Sequence, residues 1–127
     1  MKKEVKTDGA PAPIGPYSQG IIASGRFLFV SGQTAKDPVT GEMKPDIRSQ
    51  TERCLENIRA IIEKAGATMA DVVRVNAYLK DMAKFGEFNE VYVRCFPKPY
   101  PARTTVGADL PGGASVEMDA IVALRSE

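Results

Sequence analysis

The sequence predicts an α+β fold in which one mixed sheet carries two helices on a single face. Three observations lead there. A helical apolar period runs through residues 46–65, strand-like alternation runs through 73–79 and 116–124, and a second helical period occupies 85–95. At 127 residues the chain reads as one domain, residues 1–127, with enough length to bury roughly two thirds of its unfolded surface.

In chain order, residues 3–7 read as a short edge strand. The segment APAPIGPYSQG follows, where Pro11, Pro13 and Pro16 stiffen the backbone and Gly15 relieves it. Arg26 to Ser31 (RFLFVS) is a nearly continuous apolar run, the pattern of a strand buried on both faces. It ends at Ser31-Gly32-Gln33, and Asp37-Pro38 with Thr40-Gly41 marks a loop. Ile47, Cys54, Leu55, Ile58, Ile61, Ile62 and Ala65 keep helical spacing, and Gly66 stands where a helix stops. Thr68 to Asp71 has the form of a capping box leading a short helical turn.

Val73, Val75, Ala77 and Leu79 alternate with Arg74, Asn76, Tyr78 and Lys80, a half-buried strand. Phe85, Phe88, Tyr92 and Cys95 line one side of a second helix, closed by Pro97 and Pro99. Arg103 to Ala108 and Ser115 to Leu124 read as strands around a Pro111-Gly112-Gly113 turn. Paired as a hairpin, they would bring Arg103 and Glu117 to within on the order of 10 Å. The sheet face away from the helices still needs cover, and the RFLFV run points to other subunits as its source.

Composition removes several function classes. Apolar residues make up 43% and charged residues 26%, with 17 basic and 16 acidic side chains and a net charge of +1. That balance gives no field for capturing nucleic acid. No apolar run approaches membrane-spanning length, and MKKEV lacks the apolar core of a signal peptide. Cys54 and Cys95 are far apart and read as small core residues in a cytoplasmic protein. There is no histidine. Ser-His and Cys-His nucleophile pairs and imidazole metal ligands are therefore excluded.

What remains for chemistry is carboxylate, arginine, tyrosine, amide and hydroxyl. Arginine suits a carboxylate ligand because its planar fork donates two parallel hydrogen bonds. A glutamate in a partly apolar pocket can take a proton from water. Arg103 and Glu117 are thus either a surface ion pair or an anion holder and a base. Tyr17 packs its ring on the core or meets a ligand. Asn89 satisfies a loop carbonyl or lines a cleft. Ser31-Gly32 is a strand-ending turn or a place where backbone approaches a ligand closely.

Several segments together resemble the RidA family (YjgF/YER057c/UK114), the reactive intermediate deaminases. They are APIGPYSQG at 12–20, FVSGQT at 29–34, DPVTGE at 37–42, YPARTTV at 100–106 and VEMDAI at 116–121. In order and spacing the resemblance spans Ala12 to Ala123. It implies a chorismate-mutase-like fold, assembled as a homotrimer with a central barrel of sheets, helices outside, and active-site clefts between subunits. It further implies hydrolysis of 2-imino acids, such as 2-iminobutanoate and 2-iminopropanoate, to 2-oxo acids and ammonia, with no cofactor and no metal.

Carried onto this chain, the resemblance gives Arg103 the substrate carboxylate and Glu117 the attacking water. Tyr17 falls near the imine nitrogen, Asn89 in the cleft, and Ser31 and Gly32 in its wall. Thr105 stands where many deaminase members have cysteine, so no thiol nucleophile is available there and water attack is favoured. Small 2-imino or 2-oxo acids are the expected ligands, and neither a membrane nor nucleic acid is an expected partner. Two other readings stay open: a small-molecule-sensing or protein-binding trimer with low turnover, and an endoribonuclease or translation inhibitor.

Overall fold

A computed structural model describes residues 2–125. Its strands are β1 (Lys2–Val5), β2 (Gly20–Ala23), β3 (Phe27–Gln33), β4 (Val72–Leu79), β5 (Ala102–Gly107) and β6 (Val116–Ala123); its helices are α1 (Ile47–Lys64) and α2 (Phe85–Tyr92). β1 and β2 pair as a small antiparallel ribbon, and the main sheet has the order β3-β6-β4-β5.

α1 begins where the sequence expects. The Asp46 carboxylate accepts from the Ser49 N–H at 2.9 Å, satisfying one of the helix's free donors. Beyond its last turn Gly66 takes φ +83°, the left-handed conformation that glycine adopts at least cost. Between these ends Leu55, Ile58 and Ile62 are almost fully buried, each worth about 1.5–3 kcal/mol of transfer free energy. α1 lies over β3 and β6 and beside α2. Val116, Met118, Ala120 and Val122 of β6 and Val75, Ala77 and Leu79 of β4 form the floor beneath the helices. The capping box at Thr68 and Asp71 is present and opens one turn of 3-10 helix.

Three expectations need correction. First, β5 and β6 do not form a hairpin: β5 pairs with β4 in parallel, and β6 pairs with β4 on its other edge, antiparallel. β4, α2 and β5 make a βαβ unit, and a helix lying between two strands is the signal for such parallel pairing. Second, β3 is covered on one side only. Val30 is buried against the helices, whereas Phe29 is 72% exposed on the opposite face. Third, β2 forms at Gly20–Ala23, where the sequence gives only the end of a Pro- and Gly-rich segment, because four residues are too few to establish a period.

The open face of the sheet is part apolar and part polar. Phe27, Phe29 and Ile121 lie toward one end. Across β6, β4 and β5, the Asn76 amide donates to Asp119 at 2.9 Å and Arg74 donates to Asn76 at 3.0 Å and to Thr104 at 2.7 Å. The Asp119 charge pushes the neighbouring Tyr78 phenol upward. Among the described residues no helix is long and apolar enough to cross a membrane.

Candidate functional site

The expected site residues fall into two clusters. The first is built on β5, α2 and the Pro- and Gly-rich loop. Arg103 lies opposite Val75 in register, so its side chain projects to the helix face. There its Nη1 donates to Asn89 Oδ1 at 2.9 Å. The guanidinium carbon sits 4.7 Å from the Tyr92 ring centroid, 5.5 Å from Phe85 and Phe88, and 5.7 Å from Tyr17. These are cation–π distances. Burial pulls the Arg103 pKa downward, opposed by the nearby Tyr92 and Tyr17. Among the described residues no carboxylate pairs with it, and Nη2 and Nε have no protein acceptor.

Local sequence accounts for this geometry. Phe85, Phe88, Asn89 and Tyr92 recur at three- and four-residue spacing, so all reach the same side of α2. The loop is moored by Ser18, whose backbone N–H donates to Pro101 O at 3.2 Å and whose hydroxyl donates to Tyr100 O. Gln19 ties it further, donating to the carbonyls of Thr7, Ala10 and Pro11. These contacts set Tyr17 beside Arg103. A Cβ at Gly15 would lie 3.5 Å from Arg103 Nη2 and 3.7 Å from the Asn89 amide nitrogen, so the loop closes over both. Beside it lies a shallow, open cleft of about 400 Å³, lined by Gly15, Pro16, Gly86, Asn89, Glu90, Val93 and Tyr100, with Asn89 linking it to Arg103.

The second cluster sits on the opposite face. Glu117 lies across from Tyr78 on β4, and its neighbours Val116 and Met118 point to the helices, so Glu117 points away from them. The pairing of β3 with β6 is irregular between Val30 and Gln33, and Ser31-Gly32 forms this bulge. A Cβ at Gly32 would fall 2.5 Å from Glu117 Oε2. Glycine is therefore what lets the carboxylate rest against the strand. Gly32→Ala is expected to push the Glu117 carboxyl group aside while Tm changes little, because the end of a flexible side chain yields. The Glu117 side-chain carboxyl 13C resonance beside a melting curve would test this.

Arg103 and Glu117 do not share a pocket in one chain. β4 separates them, their side chains leave opposite faces, and their Cα atoms are roughly 14 Å apart by strand spacing and register. Thr105 shares the Arg103 face, but its hydroxyl oxygen is buried and finds no hydrogen-bond partner among the described residues; the same holds for the Tyr92 hydroxyl. The Cys54 thiol is pushed up by burial to about 12, and Cys95 is raised for the same leading reason, so both stay protonated. A larger groove between α1 and the chain after α2, lined by Glu52, Glu56, Arg59, Arg94 and Cys95, contains none of the expected site residues.

The rings of Phe85, Phe88 and Tyr92 were legible only as core. Their spacing on the helix just before YPAR was the available signal that they would surround its arginine.

The family described as Endoribonuclease L-PSP matches residues 7–124. The chain belongs to the RidA (YjgF) family. It is 50% identical over 123 residues to a RutC family protein of Pyrococcus horikoshii, covering 95% of this chain and 97% of that one. It is 40% identical over 126 residues to a protein of the mite Dermatophagoides farinae named 2-iminobutanoate/2-iminopropanoate deaminase, covering 98% of each. The crystal structure of RidA from an Antarctic Psychrobacter superposes with a TM-score of 0.76 at 41% identity, over 96% of this chain and 99% of that one. The α+β fold with two helices on the sheet is thus the RidA fold.

Proposed function

We propose that this RidA family member hydrolyses small 2-imino acids, such as 2-iminobutanoate and 2-iminopropanoate, to 2-oxo acids and ammonia. The observation that carries this reading is Arg103: a half-buried guanidinium, ringed by aromatics, steadied by Asn89, with two donor positions open and no carboxylate of its own. Such a group is costly to desolvate, and an incoming carboxylate repays that cost with charge-assisted hydrogen bonds. The mite relative's name supports the same chemistry.

The separation of Arg103 from Glu117 supports an active site assembled from two copies. A small imino acid held on Arg103 cannot reach Glu117 of the same chain through the sheet, whereas a neighbour can bring its own Glu117 to the cleft. The exposed Phe29 and the open sheet face support a homotrimer with the sheets turned inward.

In the reaction, Arg103 holds the substrate carboxylate and Tyr17 lies beside it on the loop side. Glu117 of a neighbouring copy takes a proton from water as the oxygen bonds to C2 of the protonated imine, whose C=N electron pair moves onto nitrogen to give a neutral tetrahedral aminoalcohol. Returning that proton to nitrogen makes ammonia the leaving group; as the C–N bond breaks, the hydroxyl passes its own proton to the Glu117 carboxylate and the carbonyl forms. Ser31 and Gly32 form the wall behind the water, and Thr105 lies below Arg103 on the same strand. An imine carbon next to a carboxylate is already electrophilic, so positioning and one proton relay suffice for acceleration.

The test generates the imine in place with a pyridoxal-phosphate-dependent threonine dehydratase and follows ammonia release, with the protein's mass measured by light scattering. Faster release from a species of three chains is expected. Saturable 2-oxo acid binding without acceleration would replace the enzyme by a ligand sensor.

A further inference from the structure

We infer that Cys54 and Asn57, on the buried side and flank of α1, are positioning residues that hold the Ser31-Gly32 bulge and thereby seat the Glu117 carboxylate. The inference rests on the deaminase reading above and assigns a role in it to side chains outside the cleft.

The contacts are specific. Cys54 Sγ donates to Gln33 O at 3.0 Å. Asn57 Nδ2 donates to Thr34 O at 3.1 Å and to Lys36 O at 2.9 Å. Asn57 Oδ1 in turn accepts from Arg53 Nε at 3.1 Å and Nη2 at 2.9 Å, which fixes the way the amide faces. Three carbonyls within four residues of chain leaving β3 are therefore pinned by one turn of helix.

Their location matters. The ladder between β3 and β6 holds Val30 opposite Ala120, loses register, and resumes at Gln33 opposite Met118. Cys54 grips the residue at which pairing resumes. Gly32 lies one residue before that grip, in contact range of the Glu117 carboxylate. Nothing among the described residues hydrogen-bonds the Glu117 carboxylate, so its placement depends on packing against this bulge. Cys54 is fully buried, and its high pKa keeps the S–H donor in place across the working pH range.

The two helices thus divide the work. α2 sets the anion-binding half through Asn89 and its aromatic rings, and α1 sets the carboxylate half through Cys54 and Asn57. The division predicts a kinetic separation: loosening the α1 grip misplaces the base without disturbing carboxylate binding.

The test uses the full chain with Cys54→Ala, Cys54→Ser and Asn57→Ala. It reads kcat and KM in the coupled assay, Tm, and the Glu117 side-chain carboxyl 13C resonance by NMR. Cys54→Ala and Asn57→Ala are expected to lower kcat about 10- to 100-fold, the scale of a displacement near 1 Å, with KM within about twofold and the Glu117 resonance shifted. Cys54→Ser keeps a donor at the same place and is expected to restore kcat and the resonance position. Equal losses in the alanine and serine variants, kcat and KM moving together, or an unmoved Glu117 resonance would overturn the assignment. Should the unmodified protein show no imine hydrolysis, the deaminase reading fails by itself. The resonance then still decides whether α1 seats Glu117.

Discussion

Arg103→Met is expected to lower kcat/KM for 2-imino acids about 10²- to 10³-fold while leaving Tm unchanged or higher. The first part follows from losing two charge-assisted hydrogen bonds to the substrate carboxylate, together about 3–4 kcal/mol. The second part follows from what the folded state spends on this side chain. Burial depresses the Arg103 pKa, so the folded protein disfavours the charged form relative to the unfolded chain. That penalty acts at every pH below the folded pKa, hence throughout the neutral range. The rings of Tyr92, Phe85, Phe88 and Tyr17 offset part of it through cation–π contact, and methionine packs against the same rings without the charge.

Arg103→Lys sharpens the test. An ammonium keeps the charge but cannot donate in two parallel lines or bridge to Asn89 with the same fork. It is expected to recover only a small part of the activity. Wild-type kcat/KM in either variant would remove Arg103 from carboxylate binding. A collapse of Tm would make its role structural.

Glu117→Gln is expected to lower kcat about 10²- to 10⁴-fold, the usual range for removing a general base, with KM within about twofold. Glutamine preserves the shape resting against Gly32, so the bulge and the β6 ladder stay as they are. Only the capacity to take a proton from water is lost. Wild-type kcat in the variant would assign the base elsewhere. Mixing Arg103→Met with Glu117→Gln chains gives a further readout: active sites built from two copies regain a fraction of activity in mixed assemblies, and sites confined to one chain do not.

Much of the fold was legible because its signals are local. α1 declares itself through an N-cap at Asp46, an apolar stripe at helical spacing and a glycine after the last turn. β4 and β6 declare themselves by strict alternation, and in β4 the apolar residues Val75, Ala77 and Leu79 do face the helices. Tyr17, Asn89 and Arg103, called from scattered segments, do come together. Cys54 was legible only as a core residue, since the chain shows its burial but not the carbonyl it faces. Asn57 gave no signal at all: a polar residue on a helix flank looks the same whether it meets solvent or a loop.

The sequence by itself determined the two helices and the strands β3 to β6, the alternation of faces along β4 and β6, and the residue types available for chemistry. Alternation in a strand is set by geometry at each Cα, and helical spacing by the turn, so both can be read without knowing the neighbours. Tertiary structure alone decided that β4 lies between β5 and β6. Which strand sits beside which depends on closing long loops and on the crossover through α2, and a period of two carries no information about that. The consequence falls on Arg103 and Glu117. A hairpin would have left them side by side, whereas the parallel β4–β5 pairing puts them on opposite faces of one sheet.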